Sequence, residues 1–281
     1  MKQIFLVLMA NLIVQVGSFL YAECLSSSNV TQRTNLSCDK IITNSSIGDG
    51  FGAQFQTIIY TVIYAELNGI KFLYTPFKKM EHNYDNDINF LKKKEDLINF
   101  IGNFEINEDL ILQSKMSRPD FFEKNLTVCA ESASLKKIKD LFRSNKNRDD
   151  YFADNNLNIA IHVRRPNAHD SRIAGTDTTD EIYLRIIDTL RGIYRLKSPL
   201  FHIYSQGNLE SLEKVYCAND VILHVNGPVE EAFTSMVLAD VLVTGTSSLS
   251  YTAGILSEGT VYYMPFWHPP LPSWVILQYQ N

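Results

Sequence analysis

The 281 residues contain no CxxC pair, no excess of positive charge, no sustained heptads and no internal repeat, and each absence removes a class of protein. The four cysteines, Cys24, Cys38, Cys129 and Cys217, are too scattered for a structural zinc site. They suit either two disulfides, in any of three pairings, or free buried thiols in a reducing compartment. A formal net charge of −5 argues against general nucleic-acid binding, which needs a basic face. Without heptads or repeats the chain is neither a coiled coil nor a solenoid, and it reads as globular. Asp85-Asn86-Asp87 has the D-x-D form of a divalent-ion motif, but His82-Asn83-Tyr84 precedes it in place of a hydrophobic strand. It reads as a solvated loop, and no metal is expected.

A hydrophobic fraction of 45% with 20% charge places the chain among ordinary folded proteins, with room for one large α/β domain or two smaller ones. Residues 4–21 form an apolar run after Lys2, broken only by Asn11, Gln15, Gly17 and Ser18. It suits a signal peptide cleaved near Ala22, a type II membrane anchor, or a buried N-terminal element. Residues 23–38, rich in Ser, Thr and Asn, read as a stem. Asn29-Val30-Thr31, Asn35-Leu36-Ser37, Asn44-Ser45-Ser46 and Asn125-Leu126-Thr127 match the N-glycosylation acceptor pattern. The expected location is the secretory pathway, in the ER or Golgi lumen, as a type II membrane protein, or secreted.

In the N-terminal half a strand at 40–43 leads to Ile47-Gly48-Asp49-Gly50-Phe51-Gly52-Ala53-Gln54, then to an amphipathic helix over 55–67 that Asn68-Gly69 stops. A second strand spans 70–74. The glycines therefore sit on a strand-to-helix turn, where backbone N–H groups can meet a ligand. Gly48, Gly50 and Ala53 match the dinucleotide fingerprint, but that fingerprint expects an acidic residue where the second strand here ends in Tyr74-Thr75. Short helical pieces follow at 95–101 and 135–142.

From residue 157 strands and helices alternate. Strands are expected at 157–163, 200–204, 221–225, 241–244 and 260–264, and helices at 181–194, 209–215, 230–238 and 249–256. This order implies a parallel sheet with right-handed crossovers, whose strand ends share one edge. The run Ile159-Ala160-Ile161-His162-Val163 suits a strand covered on both faces, and it ends in Arg164-Arg165. Two guanidinium forks at a strand end suit phosphate or carboxylate oxygens, although they also suit surface charges. Tyr204-Ser205-Gln206-Gly207 ends the next strand. Thr244-Gly245-Thr246-Ser247-Ser248 opens a helix, with Ser248 the default N-cap. Its hydroxyls, N–H groups and helix dipole favour an anion. Together the two elements describe a diphosphate site.

His162-Val163-Arg164-Arg165, the later Thr246-Ser247-Ser248 and the early glycine turn with Gln54 resemble the fucosyltransferase-like superfamily of α1,2-, α1,6- and protein O-fucosyltransferases. The resemblance covers most of residues 40–270. The family motif usually continues Gly-Asp where this chain has Pro166-Asn167, and its turn usually reads Gly-x-Gly-Asn-Gln where Gly52-Ala53-Gln54 lacks the Asn. These departures suit a divergent member, such as a viral or protist one. The resemblance implies an α/β GT-B architecture: two Rossmann-like domains facing a cleft, the C-terminal one with a parallel sheet. Residues 39–150 would form the acceptor side and 151–281 the nucleotide-sugar side.

It further implies an inverting, metal-independent transfer from a nucleotide sugar, GDP-fucose or a UDP-sugar such as UDP-xylose, to a glycan or glycoprotein, with no other cofactor. Arg164 or Arg165 would hold the departing phosphate, and Ser247 and Ser248 would bond the diphosphate. His162, Ser205, Gln206, Thr246, Gly50, Gly52 and Gln54 would complete the donor site, with His169, Asp170 and Asp49 as candidate bases. Two other readings stay open: a dinucleotide-dependent oxidoreductase and a carbohydrate-binding protein without catalysis.

Overall fold

A computed structural model describes residues 41–44, 48–107, 118–152, 156–165 and 178–278, and it shows two α/β halves built on parallel sheets of unequal size. The N-terminal half holds β1 (Ile41–Thr43), α1 (Phe51–Leu67) and β2 (Lys71–Leu73), with β1 and β2 paired in parallel. Asn44 ties the two strand ends: its amide donates to the Thr75 carbonyl at 2.8 Å and its oxygen accepts from the Thr75 N–H at 2.9 Å. Four helices follow, α2 (Phe90–Ile98), α3 (Arg118–Lys124), α4 (Leu126–Ala130) and α5 (Ala133–Arg143).

Helix α1 is apolar on nearly every side, the pattern of a helix surrounded by protein. It packs against α3, α5 and β2 and against the C-terminal half. Its C-terminus is a Schellman motif. Gly69 sits at φ 63°, its N–H bonds the Glu66 carbonyl at 3.1 Å, and the Ile70 N–H bonds Ala65 at 2.8 Å.

The C-terminal half continues through β3 (Leu157–Val163), α6 (Asp180–Ile193), β4 (Pro199–Ser205), α7 (Leu209–Val215), β5 (Val221–Val225), α8 (Val229–Leu238), β6 (Val241–Val243), α9 (Ser248–Leu256), β7 (Thr260–Tyr263) and β8 (Val275–Ile276). The six strands are all parallel in the order β5-β4-β3-β6-β7-β8. The chain moves outward from β3 to β5, returns to β6 beside β3, and moves outward again to β8. The strand order therefore reverses between β3 and β6.

Strand side chains alternate between the two faces. Ile159, Ile161 and Val163 pack in one core with Tyr183, Ile186, Ile187 and Leu190 of α6 and Leu212 of α7. Ala160 and Leu242 face the other core, which α1, α8 and α9 share. That second core spans both halves. Phe233 of α8 meets Phe51 at 5.1 Å, Phe55 at 6.1 Å and Phe142 of α5 at 5.5 Å between ring centroids. Buried Lys94 of α2 adds an ion pair of 2.6 Å to Glu230 of α8.

The α/β class, the parallel C-terminal sheet and the two halves facing a cleft are as expected. Several boundaries differ. Helix α1 starts at Phe51, so Gly52 is inside its first turn, and α2 covers 90–98 in place of 95–101 because Asn99, left-handed at φ 57°, stops it. The N-cap of α9 is Ser247, whose Oγ accepts from the Leu249 N–H at 3.2 Å, and Ser248 is the first helical residue. Asn44 is buried and bonded to Thr75, so it is closed to a glycan. Cys129 is buried, Cys217 is exposed, and they form no disulfide with each other. Residues 4–21, the stem at 23–38, Cys24, Cys38, Asn29, Asn35, His169 and Asp170 lie outside the described residues. Among the described residues no helix is long and apolar enough to cross a membrane.

Candidate active site

In an open α/β sheet, the crevice at the reversal of strand order lies beyond the carboxyl ends of the strands and is where ligands bind. Here it falls between Arg164, the residue that follows β3, and the turn after β6, residues 244–247. A cleft of ≈ 1530 Å³ opens there between the two halves. Asp49, Gly50, Gly52, His162, Arg164, Arg165, Ser205, Gln206, Ser247 and Ser248 all line it.

Two helix N-termini meet on its floor. The chain enters α1 at Gly50 and α9 at Ser247. They touch at Gly52, where an added Cβ would lie 2.5 Å from both the Cα and the N of Leu249. Only glycine permits that approach. The Thr252 hydroxyl locks it by donating to the Gly52 carbonyl at 3.0 Å. The first-turn N–H groups of a helix lack intrahelical partners and carry partial positive charge, so paired helix starts favour an anion.

The two arginines differ. Arg164 Nη1 donates to the Thr246 carbonyl at 3.2 Å, which holds its guanidinium against the turn into α9. Arg165 points toward the opposite face of the sheet. Its Nη2 pairs with Asp180 Oδ1 at 2.5 Å, and the Tyr216 hydroxyl donates to the same oxygen at 2.6 Å. Burial alone would raise the Asp180 pKa, but the bonds from Arg165 and Tyr216 outweigh it and hold the carboxyl below its ordinary value. Asp180 opens α6, where a negative charge also suits the helix dipole.

His162 shares the face of Arg164. Its Nδ1 lies 2.9 Å from Ser250 Oγ, and that oxygen accepts from the Gly245 N–H at 3.0 Å. Burial first, and the Arg164 charge second, push the His162 pKa down to about 4. The imidazole is neutral at neutral pH. Gly245 lets β3 and the turn approach, since a Cβ there would lie 2.5 Å from the His162 carbonyl.

Other expected residues serve the frame. Gln54 is buried, and its amide donates to the Asp49 carbonyl at 2.8 Å and the Lys79 carbonyl at 2.9 Å, so it fixes the glycine turn from behind. Thr246 contributes its carbonyl to Arg164 and is not among the lining residues. Ser205 Oγ donates to the Val163 carbonyl at 2.9 Å, and Asp49 Oδ1 accepts from the Gly50 N–H at 2.7 Å.

Outside the sequence motifs, the cleft is also lined by His224 and Asn226 at the end of β5, Gln56 and Tyr60 on α1, and Trp267 and His268 after β7, while Ser250 of α9 meets His162 from outside the lining. His224 and Asn226 were open to the same strand-end rule that selected Gln206. Ser250 carried no signal, because its role depends on which way α9 faces.

No protein-family model matches the chain, and no curated protein matches it. Among solved structures it is similar to NodZ α1,6-fucosyltransferase soaked with GDP-fucose, at 11% identity over 78% of this chain and 92% of that one, with a TM-score of 0.35. It is also similar to fucosyltransferase NodZ from Bradyrhizobium, at 10% identity over 78% and 93% of the two chains, with a TM-score of 0.36. A third is E. coli heptosyltransferase WaaC with ADP, at 12% identity over 80% and 87%, with a TM-score of 0.42. At such TM-scores the overlap carries no function across, and what the cleft can do follows from its own residues.

Proposed function

We propose that the protein is a glycosyltransferase that moves a sugar from a nucleotide sugar to a saccharide or glycoprotein acceptor with inversion. The observation that carries this reading is the convergence of Arg164 and two helix N-termini at the strand-order reversal. Such a floor matches a diphosphate. In transfer, the bond from the sugar's anomeric carbon to the phosphate oxygen breaks, and its electron pair leaves with the nucleotide diphosphate. The acceptor hydroxyl bonds the same carbon from the other face and loses its proton to a base. Negative charge grows on the departing phosphate, where Arg164 and the fixed N–H groups can stabilise it without reorganising. Asp49, on the α1 side of the cleft, is the described candidate for the base.

Fucose as the sugar rests on the resemblance of His162-Val163-Arg164-Arg165 and its partner motifs, with a UDP-sugar such as UDP-xylose as the other donor class. A secretory location rests on the composition of residues 1–38. The oxidoreductase alternative loses ground at β2. Tyr74 and Thr75 are buried there, and the carboxylate of Glu95 is taken up by the Tyr74 hydroxyl at 2.8 Å and the Phe77 N–H at 2.6 Å.

The test is a thermal-shift screen of the full chain against GDP, UDP, ADP, GDP-fucose, UDP-xylose and NAD, repeated on Arg164→Ala. A ligand at a hundredfold excess over its Kd stabilises the native state by about 2.7 kcal/mol, roughly 5–10 °C for a chain of this size. At least one nucleotide diphosphate should raise Tm in the wild type. Arg164→Ala should remain folded, lose most of that rise, and transfer about 10²- to 10³-fold more slowly. An equal rise in both proteins, or a rise with NAD alone, would refute the reading.

A further inference from the structure

The cleft extends beyond its anion-binding floor. On one flank it follows β4 and β5 to Gln206, His224 and Asn226; on the other it follows α1 and the loop after β7 to Trp267 and His268. Strand β7 stands two places from β3, about 10 Å across the sheet. A diphosphate at the reversal point therefore has one flank for its nucleoside and another for whatever receives its sugar. Along α1 the second flank is lined by Ala53, Gln56, Thr57 and Tyr60, one helical face reaching about 15 Å from Gly50.

Trp267 is 58% exposed, unusual for the largest apolar side chain in a cleft wall. Its loop is tightly held. The Tyr263 hydroxyl donates to the His268 carbonyl and accepts from the Phe266 N–H at 2.9 Å, and the Tyr251 hydroxyl donates to Pro269 at 2.8 Å. His268 Nδ1 lies 3.1 Å from Glu123 of α3. Phe266 backs the indole, with ring centroids 3.9 Å apart. A large aromatic ring is thus presented rigidly to solvent, so little ordering entropy is lost when a ligand covers it.

On the proposed transferase reading, the geometry points to Trp267 as the platform on which a pyranose ring of the acceptor saccharide stacks. The apolar C–H face of a sugar suits an indole, while its hydroxyls need polar neighbours, which Thr57 and His268 provide on the same flank. The amides and the imidazole on the β4–β5 flank suit the hydrogen-bonding edges of a nucleoside instead.

The chain has two tryptophans, and Trp274 is buried at 9% exposure, so emission quenchable by acrylamide belongs to Trp267. The full chain, with a nucleotide diphosphate that raises its Tm, is titrated with chitotetraose, lactose and mannotetraose. At least one saccharide should shift the emission to the blue and protect it from acrylamide. Its Kd by calorimetry should weaken on the order of tenfold in Trp267→Ala, with the nucleotide-induced Tm rise intact. No spectral change with any of the three, or an unchanged Kd in the variant, overturns the platform. Loss of the nucleotide response in Trp267→Ala also overturns it, since the ring would then serve the donor. Absence of any nucleotide response in the wild type counts against the transferase reading itself.

Discussion

His162 couples the site to pH. Its imidazole accepts or donates at Ser250, Ser250 holds the Gly245 N–H, and Gly245 belongs to the turn that receives Arg164. The native pKa, about 4, lies below the ordinary 6.5 because burial and Arg164 disfavour the imidazolium. A depressed native pKa means the unfolded chain binds more protons between those values. The contribution is therefore complete above pH 6.5 and is lost as pH falls toward 4, amounting to about 3 kcal/mol. Urea midpoints measured from pH 7 to pH 4 should fall more steeply for the wild type than for His162→Gln. Parallel profiles would show that His162 does not set the acid limit. The alternation of side chains along β3 explains what the sequence discloses about the arginines. With Ile159, Ile161 and Val163 in one core, Arg165 must follow them toward α6, and Arg164 must join His162 on the α9 side. The pair was legible as a pair. Its division of labour was not, because nothing in the chain states which face of the sheet the other half covers.

At the scale of elements, the site is the contact between the starts of α1 and α9. An alanine at position 52 would drive its methyl into the Leu249 backbone, which has no rotamer with which to yield. Gly52→Ala should cost about 1–3 kcal/mol by overpacking. It should also weaken the nucleotide-induced Tm rise, because the two helix starts must separate. Retention of both Tm and the ligand response would mean that the floor tolerates a gap. The strands β3 and β5 are legible to the residue because Ile159-Ala160-Ile161 and Val221-Ile222-Leu223 are short apolar runs, each extended by a His-Val pair and then closed by a polar residue, Arg164 or Asn226. Helix α1 begins four residues before the amphipathic pattern does, because Gly50-Phe51-Gly52 reads locally as a turn. Its first turn is helical because Phe51 packs against Phe77 and Phe233, contacts made by distant segments. Strand β8 is two residues long and left no periodic trace.

Across the whole molecule, the halves share a core. Phe233 joins α8 to α1 and α5, so its removal opens a cavity that neither half can close alone. Phe233→Ala should cost about 3–5 kcal/mol. If the shared core governs stability, wild type and variant should each unfold in one transition, with tryptophan emission and far-UV circular dichroism coincident in denaturant. Two separated transitions would mean that the halves are held independently.

The bond from Thr252 to Gly52 spans 200 residues of chain. A ribosome working at about 5–20 residues per second makes α9 roughly 10–40 s after α1. Through that interval the apolar flank of α1 that α9 will cover is present in the nascent chain without its partner. Chaperones and the pace of translation therefore bear on the yield of this protein at one identifiable helix.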